Sequence, residues 1–275
     1  MSTFSALLSI YKNDSLNAVR ECIDSLFAQQ GQGFEEIVVV LEGDVADDII
    51  QLLLKYDRSI LKTYHLFDVK GPLNYGLPSC LNYGISVAES EYIVRLDSDD
   101  VSVLYRLEEI RSYVALNPDV CLFGAHIQEF NEEMTVPGKL RKVPIHSCEI
   151  LSFGVWRNPF NGPAIVFKKE IAIQLGGYPQ IASNEDWCFW ALFMKLGYKV
   201  GNIDSVHVHM RAGDEIIERR RGKRYSRGEV DSLKYLYAIG WISLGMFLIL
   251  VVSRRTIRLL PLSVLKGIYN SLLRT

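Results

Sequence analysis

The sequence predicts an α/β protein with an open, mostly parallel sheet flanked by helices and a C-terminal helical, membrane-associated segment. Three observations lead there: apolar β-prone runs alternate with amphipathic ones from Phe4 onward, one such run ends abruptly in acids at Asp97, and a basic, apolar tail begins near Arg219. With 49% hydrophobic residues in 275, the chain can bury one substantial core, which excludes a disordered protein.

Phe4 to Tyr11 is an apolar run closed by Lys12-Asn13-Asp14-Ser15, a first buried strand followed by a helix cap. The helix from Leu16 to Gln29 places Val19, Cys22, Ile23, Leu26 and Phe27 on one face, and Gly31 and Gly33 end it. Glu36 to Leu41 is rich in β-branched residues, as a strand buried on both faces should be. A helix from Val45 to Tyr56 and a strand from Ile60 to Phe67 complete a β-α-β-α-β alternation, the pattern of a parallel nucleotide-binding sheet. Neither G-x-G-x-x-G nor G-x-x-x-x-G-K-[ST] occurs, so a dinucleotide fold and a P-loop are both unsupported.

Tyr92 to Leu96 reads as a buried strand delivering Asp97, Ser98, Asp99 and Asp100 to its carboxyl end, where α/β sheets bind ligands. Carboxylates this close repel one another, and solvation on a turn or a bound divalent cation relieves the repulsion. Hard oxygen ligands imply Mg2+ or Mn2+; the plainer alternative is an Asp-rich turn capping the helix that starts near Val103. That helix runs to Leu116, and Val120 to Ile127 and Ile165 to Phe167 are further strands. Ser183-Asn184-Glu185-Asp186 opens the amphipathic helix Trp187 to Leu196, with Asn184 or Asp186 as a cap. His207 and His209 share one face of a strand, as structural residues would. Five scattered cysteines without a C-x-x-C pair fit reduced thiols of a cytosolic protein, and Met1-Ser2-Thr3-Phe4 shows no secretory signal.

Several of these segments, in the same order, resemble family 2 glycosyltransferases of the GT-A fold, the inverting bacterial type that builds O-antigen or exopolysaccharide. The acid run is similar to the family's DxD motif, and Asn74 to Gly84 to its N-x-G-L-x-x-x-L-N-x-G segment. Arg157-Asn158-Pro159-Phe160 resembles its R-N-P-F stretch, with Gly162 where a His is usual. Gly176-Gly177-Tyr178 matches a G-G-[FY] turn, Glu185-Asp186 the [E/D]-D motif, and Arg219 to Gly222 a donor-covering loop. The resemblance implies a catalytic domain over residues 1–212 and a helical region over 213–275. It implies that Ser9, Tyr11, Glu42, Asn74, Gly76, Arg95, Asp97, Ser98, Asp99, Arg220 and Arg221 bind a UDP-sugar. It also implies that Asp97 and Asp99, with His209, hold Mn2+ or Mg2+, and that Asp186, beside Glu185, is the general base for a hydroxyl of a lipid-linked or growing saccharide. Arg106 would meet phosphate or an acid such as Asp100. The alternatives are an inactive membrane-surface binding protein of the same fold and a sugar nucleotidyltransferase.

From Arg219 onward twelve Lys and Arg residues face two acids, Glu229 and Asp231, an asymmetry that suggests an anionic partner. Tyr235 to Val252 carries no charge and is followed by Arg254, Arg255 and Arg258. A single span, helices in the cytoplasmic leaflet and a hairpin packed on the body all accommodate this pattern, and the flanking charges favour monotopic attachment to anionic lipid. The expected location is the cytoplasmic face of the bacterial inner membrane, with no nucleic-acid partner.

Overall fold

The computed structural model describes residues 2–66, 76–212 and 222–259. Asn74, Arg220 and Arg221 lie outside them. Among the described residues nine strands form one sheet: β1 (Phe4–Tyr11), β2 (Glu36–Glu42), β3 (Leu61–Leu66), β4 (Tyr92–Arg95), β5 (Val101–Ser102), β6 (Leu122–Phe130), β7 (Pro137–Arg141), β8 (Val166–Lys168) and β9 (Val200–Arg211). The order is β3-β2-β1-β4-β8-β6-β9-β5, with β7 on β6. The first four are parallel, as the alternation predicts. Beyond β4 the sheet is mixed, because β8 enters antiparallel between β4 and β6 while β6 and β9 run parallel.

Helices α1 (Leu16–Phe27), α2 (Asp47–Leu53) and α4 (Arg106–Leu116) cover one face. The other is covered by α3 (Leu77–Val87), α5 (Ser147–Gly154), α6 (Lys169–Gln174), α7 (Glu185–Lys195), α8 (Gly222–Ala238) and α9 (Leu244–Leu259). In β1, Phe4, Ala6, Leu8 and Ile10 face the first layer and Leu7 the second. The strand is buried on both sides, which explains why its apolar residues fall on both faces.

The order 3-2-1-4 reverses direction at β1, so a crevice opens between the carboxyl ends of β1 and β4. The acid turn after β4 is at that crevice. Helix α3 closes in on β1 and β2 because Gly84 has no side chain; a Cβ there would overlap Leu7 and stand 3.2 Å from Val40 Cγ2.

The uncharged stretch Tyr235 to Val252 is not one helix. It turns at Gly240, whose φ is +71°, and returns as α9. No helix among the described residues is long and apolar enough to cross a membrane. Leu233, Leu236, Ile242 and Leu250 from the pair are buried in the same cluster as Trp187, Phe189 and Trp190 of α7. Of the three arrangements the sequence allowed, these helices form the hairpin packed on the body.

Gly84→Val should destabilise the protein by about 1–3 kcal/mol in urea unfolding despite the gain in helix propensity, because overpacking between α3 and β1 outweighs it.

Candidate active site

The donor side is built from strand ends. Parallel pairing of β1 with β2 sets Ser9 opposite Val40 and Tyr11 opposite Glu42. Gly76, the cap of α3 with φ +52°, brings that helix against β2: a Cβ on it would lie 3.3 Å from Glu42 Oε1. Ser9, Glu42 and Gly76 therefore meet in one corner, where the Ser9 hydroxyl also bonds the Cys80 thiol. Burial raises the Glu42 carboxyl above its usual range, helped by the charge of Asp14. Tyr11, 40% exposed, stands at the rim.

The acid run is a tight turn in which the Asp100 N–H donates to the Asp97 carbonyl at 3.1 Å. Its side chains alternate. Ser98 is buried and donates to Asp14 Oδ2 at 2.7 Å, and Asp100 is buried and accepts the Arg211 N–H at 2.9 Å. Asp97 and Asp99 face outward, one half-exposed and one exposed. Burial, then the charges of Asp97 and Asp99, push the Asp100 carboxyl far up. The run thus separates into an outward pair with the hard-oxygen chemistry of a divalent-cation site and an inward pair that braces the turn.

Arg106 corrects one expectation. It is fully buried and donates to the Arg95 carbonyl at 2.8 Å and the Pro163 carbonyl at 3.1 Å, out of reach of a bound phosphate. Burial lowers its pKa to about 9, opposed by the charges of Cys22 and Asp100. Its work is to tie the end of β4 to the segment before β8. His207 is buried with Nε2 3.0 Å from Glu109 Oε2, the structural role. The His209 ring packs against Phe130, with centroids 4.7 Å apart, rather than joining Asp97 and Asp99. Among the described residues no three His, Cys, Asp or Glu side chains converge as a metal cage. A cation on Asp97 and Asp99 would draw its other ligands from substrate and water, as Mg2+ commonly does.

The acceptor side starts at Asn184, whose left-handed backbone (φ 54°) turns the chain into α7. Asp186 in the first turn accepts the Trp187 N–H at 2.7 Å on Oδ1 and the Asn158 side-chain amide at 2.9 Å on Oδ2. Glu185 beside it is pushed up to about 7 by burial and by the Asp186 charge, with the Arg95 charge opposing. Arg95 itself is buried at the end of β4 and donates to Asp97 Oδ1 at 2.8 Å. Trp187 and Trp241 both donate their indole N–H to the Gly154 carbonyl at 2.9 Å, and Arg254 of α9 stacks over Trp187, 5.0 Å from its ring centroid. The C-terminal hairpin is thereby packed onto the helix that carries Asp186. Thus the carboxyl ends of β1, β2 and β4, together with the start of α7, gather Ser9, Glu42, Gly76, Arg95, Asp97, Ser98, Asp99, Glu185 and Asp186 along one edge.

Two positions escaped the sequence reading. Asp14 is an ordinary cap residue until the fold brings Ser98 to it, and Arg211 gains meaning only where β9 passes the acid turn. It donates from its backbone to Asp100, from Nε to the Asp99 carbonyl at 3.1 Å and from Nη2 to Glu21 Oε2 at 2.7 Å.

The profile described as "Glycosyl transferase family 2" matches residues 5–171, more than half of the chain and the whole donor edge. The chain belongs to that family. Its fold is GT-A, and it is a glycosyltransferase. The chain is 31% identical to the amylovoran biosynthesis glycosyltransferase AmsE of Erwinia amylovora, over 97% of this chain and 98% of that one. It is 30% identical to a UDP-Gal:alpha-D-GlcNAc-diphosphoundecaprenol beta-1,3-galactosyltransferase of Escherichia coli, over 98% and 96%. Among solved structures, the mannosyltransferase PcManGT of Pyrobaculum calidifontis, in complex with GDP-Man and Mn2+, has a similar fold, with a TM-score of 0.57 and 16% identity over 93% of this chain and 80% of that one.

The proton on Glu185 has a measurable consequence. Between the ordinary carboxyl value of 4.5 and about 7 the folded protein holds a proton that the unfolded chain has released, so stability falls as pH rises through that window. Glu185→Gln removes this contribution to the dependence. Its urea midpoint should match that of the wild type near pH 4 and exceed it at pH 8; equal midpoints at both pH values would show that Glu185 titrates normally.

Proposed function

We propose that this glycosyltransferase moves a sugar from a UDP-sugar, a UDP-hexose or UDP-N-acetylhexosamine, to a hydroxyl of a lipid-linked saccharide in bacterial surface polysaccharide synthesis, inverting the anomeric centre. The observation that carries it is the meeting of two acid sets at one sheet edge: Asp97 and Asp99 at the end of β4, and Glu185 and Asp186 at the start of α7, with Arg95 between them. The Escherichia coli relative, named for UDP-Gal and a diphosphoundecaprenol-linked acceptor, supports the donor and acceptor classes.

In this mechanism the uridine sits over Ser9, Tyr11 and Glu42, and its diphosphate reaches the turn at Asp97 and Asp99. Those two carboxylates would hold Mn2+ or Mg2+, which offsets the charge that builds on the departing diphosphate. Asp186 takes the proton from the acceptor hydroxyl as its oxygen bonds the anomeric carbon and the bond to the diphosphate oxygen breaks. Asn158 and the Trp187 N–H hold the Asp186 carboxylate for that step. In-line displacement gives inversion, so an α-linked donor yields a β-linkage.

The same proposal puts the protein on the membrane surface as a peripheral enzyme at the cytoplasmic leaflet. Leu244, Leu248, Ile249 and Val252 follow one stripe of α9 and are 54 to 63% exposed, with the exposed Arg255 beyond them. An apolar stripe ending in basic residues suits a layer of anionic lipid. A lipid-linked acceptor would arrive on the side where the hairpin packs against α7.

Asp186→Asn should lower kcat by about 10²–10⁴-fold while sparing UDP affinity, read by steady-state kinetics and calorimetry. A near-normal kcat would remove Asp186 from the base role. In the same calorimetry, Mn2+ should strengthen UDP-sugar binding to the wild type, and Asp99→Asn should abolish that gain. For the membrane, the pair Leu248→Asp and Ile249→Asp should reduce co-sedimentation with phosphatidylglycerol vesicles by about tenfold. Unchanged sedimentation would place the contact elsewhere.

A further inference from the structure

Gly162 lies in the single 3-10 turn before β8, and its φ is outside the left-handed region, so the backbone there does not call for glycine. The space around it does. A Cβ at this position would stand 2.9 Å from Arg95 Nη1 and 3.3 Å from Asp186 Oδ2, so only a bare residue lets the guanidinium and the carboxylate both close on the backbone there.

Arg95 is an unusual group to find there. It is 4% exposed. One nitrogen donates to Asp97 at 2.8 Å, while Nε has no hydrogen-bond partner among the described residues. The Tyr178 hydroxyl nearby is buried and equally unpartnered, and its ring centroid is 6.0 Å from the guanidinium carbon. Three acids, Asp97, Asp186 and Glu185, act on the guanidinium from both sides of the cleft. A buried cation with a spare donor costs stability unless its surroundings use it. Ion pairing to Asp97 alone would not require the guanidinium and Asp186 to close on Gly162 together.

We propose that Arg95 is a positioning residue for sugar transfer: it holds Asp97 and the Glu185–Asp186 pair in one charged array, and the missing side chain at Gly162 lets its guanidinium and the Asp186 carboxylate close on the backbone there. The proposal rests on Asp186 being the base, and its effect is geometric. The donor-side acid and the acceptor-side base sit on different elements, β4 and α7, and Arg95 sets their separation. A planar fork does this where a point charge cannot, so lysine is a partial substitute.

The test uses the full chain with UDP-galactose and UDP-N-acetylglucosamine, Mn2+ and a lipid-diphosphate-linked N-acetylglucosamine acceptor. Gly162→Ala should lower kcat by about a hundredfold, the scale of a small misplacement at a reacting centre. Its UDP affinity in Mn2+ and its urea midpoint should match the wild type. Arg95→Met should lower kcat at least as far, and Arg95→Lys should recover part of it. A double-mutant cycle in urea, pairing Arg95→Met with Asp186→Asn, reads the array without any turnover. The double variant should lose less stability than the two singles combined. Wild-type kcat in Gly162→Ala, or an additive cycle, overturns the proposal. Should Arg95→Met not fold, Arg95→Lys takes its place in the cycle. Should the wild type turn over neither donor, the reaction proposed above is in question for those sugars, and the cycle still decides whether the array exists.

Discussion

Negative charge has to be gathered and yet tolerated at the carboxyl edge of this sheet. Asp14, Glu42, Asp97, Asp99, Asp100, Glu185 and Asp186 all come to that edge, and like charges so placed raise one another's pKa or drive the elements apart. The buried guanidinium of Arg95 is the main internal counterweight between the two halves, bonded to Asp97 and acting on Asp186 and Glu185. The rest of the relief comes from orientation: Asp100 is turned inward, Asp97 and Asp99 outward, and Glu185 holds its proton to about 7. What remains outward is a pair of hard ligands on one side and a hydrogen-bonded carboxylate on the other, the two groups that the proposed transfer uses.

Topology makes this gathering possible. Parallel strands β3, β2, β1 and β4 deliver their carboxyl ends to one edge, and the reversal at β1 opens the crevice. A wholly parallel sheet would carry the later chain away. Antiparallel β8 instead brings Gly162 and Pro163 back beside β4, where Arg106 pins them, and β9 returns alongside β6 to set Arg211 against the acid turn. The mixed half of the sheet therefore carries groups to both acid sets.

The C-terminal hairpin adds a second brace. Ser232 of α8 donates to the Ser183 carbonyl, just ahead of Asn184, and α9 presses Arg254 onto Trp187. The first turn of α7, which carries Asp186, is held on one side by the Trp187 bond to Gly154 and on the other by these helices.

Local pattern was enough for much of this. An apolar run marked β1 and a β-branched run marked β2 as buried parallel strands, and an apolar run ending in Asp97-Ser98-Asp99-Asp100 marked the end of β4, because burial on both faces and solvation of a turn both leave signatures within a few residues. The motif order, from Asn74 through Glu185-Asp186, named the family. Tertiary structure alone decided which acids face out, since a turn has no two- or 3.6-residue period from which to read direction. It decided that Arg106 serves two carbonyls and that His209 lies on Phe130, because those partners are far away in sequence. It also decided that residues 235–252 bend at Gly240 and pack on α7: length and hydropathy suit a span and a buried hairpin alike, and only the apolar surface offered by α7 discriminates between them.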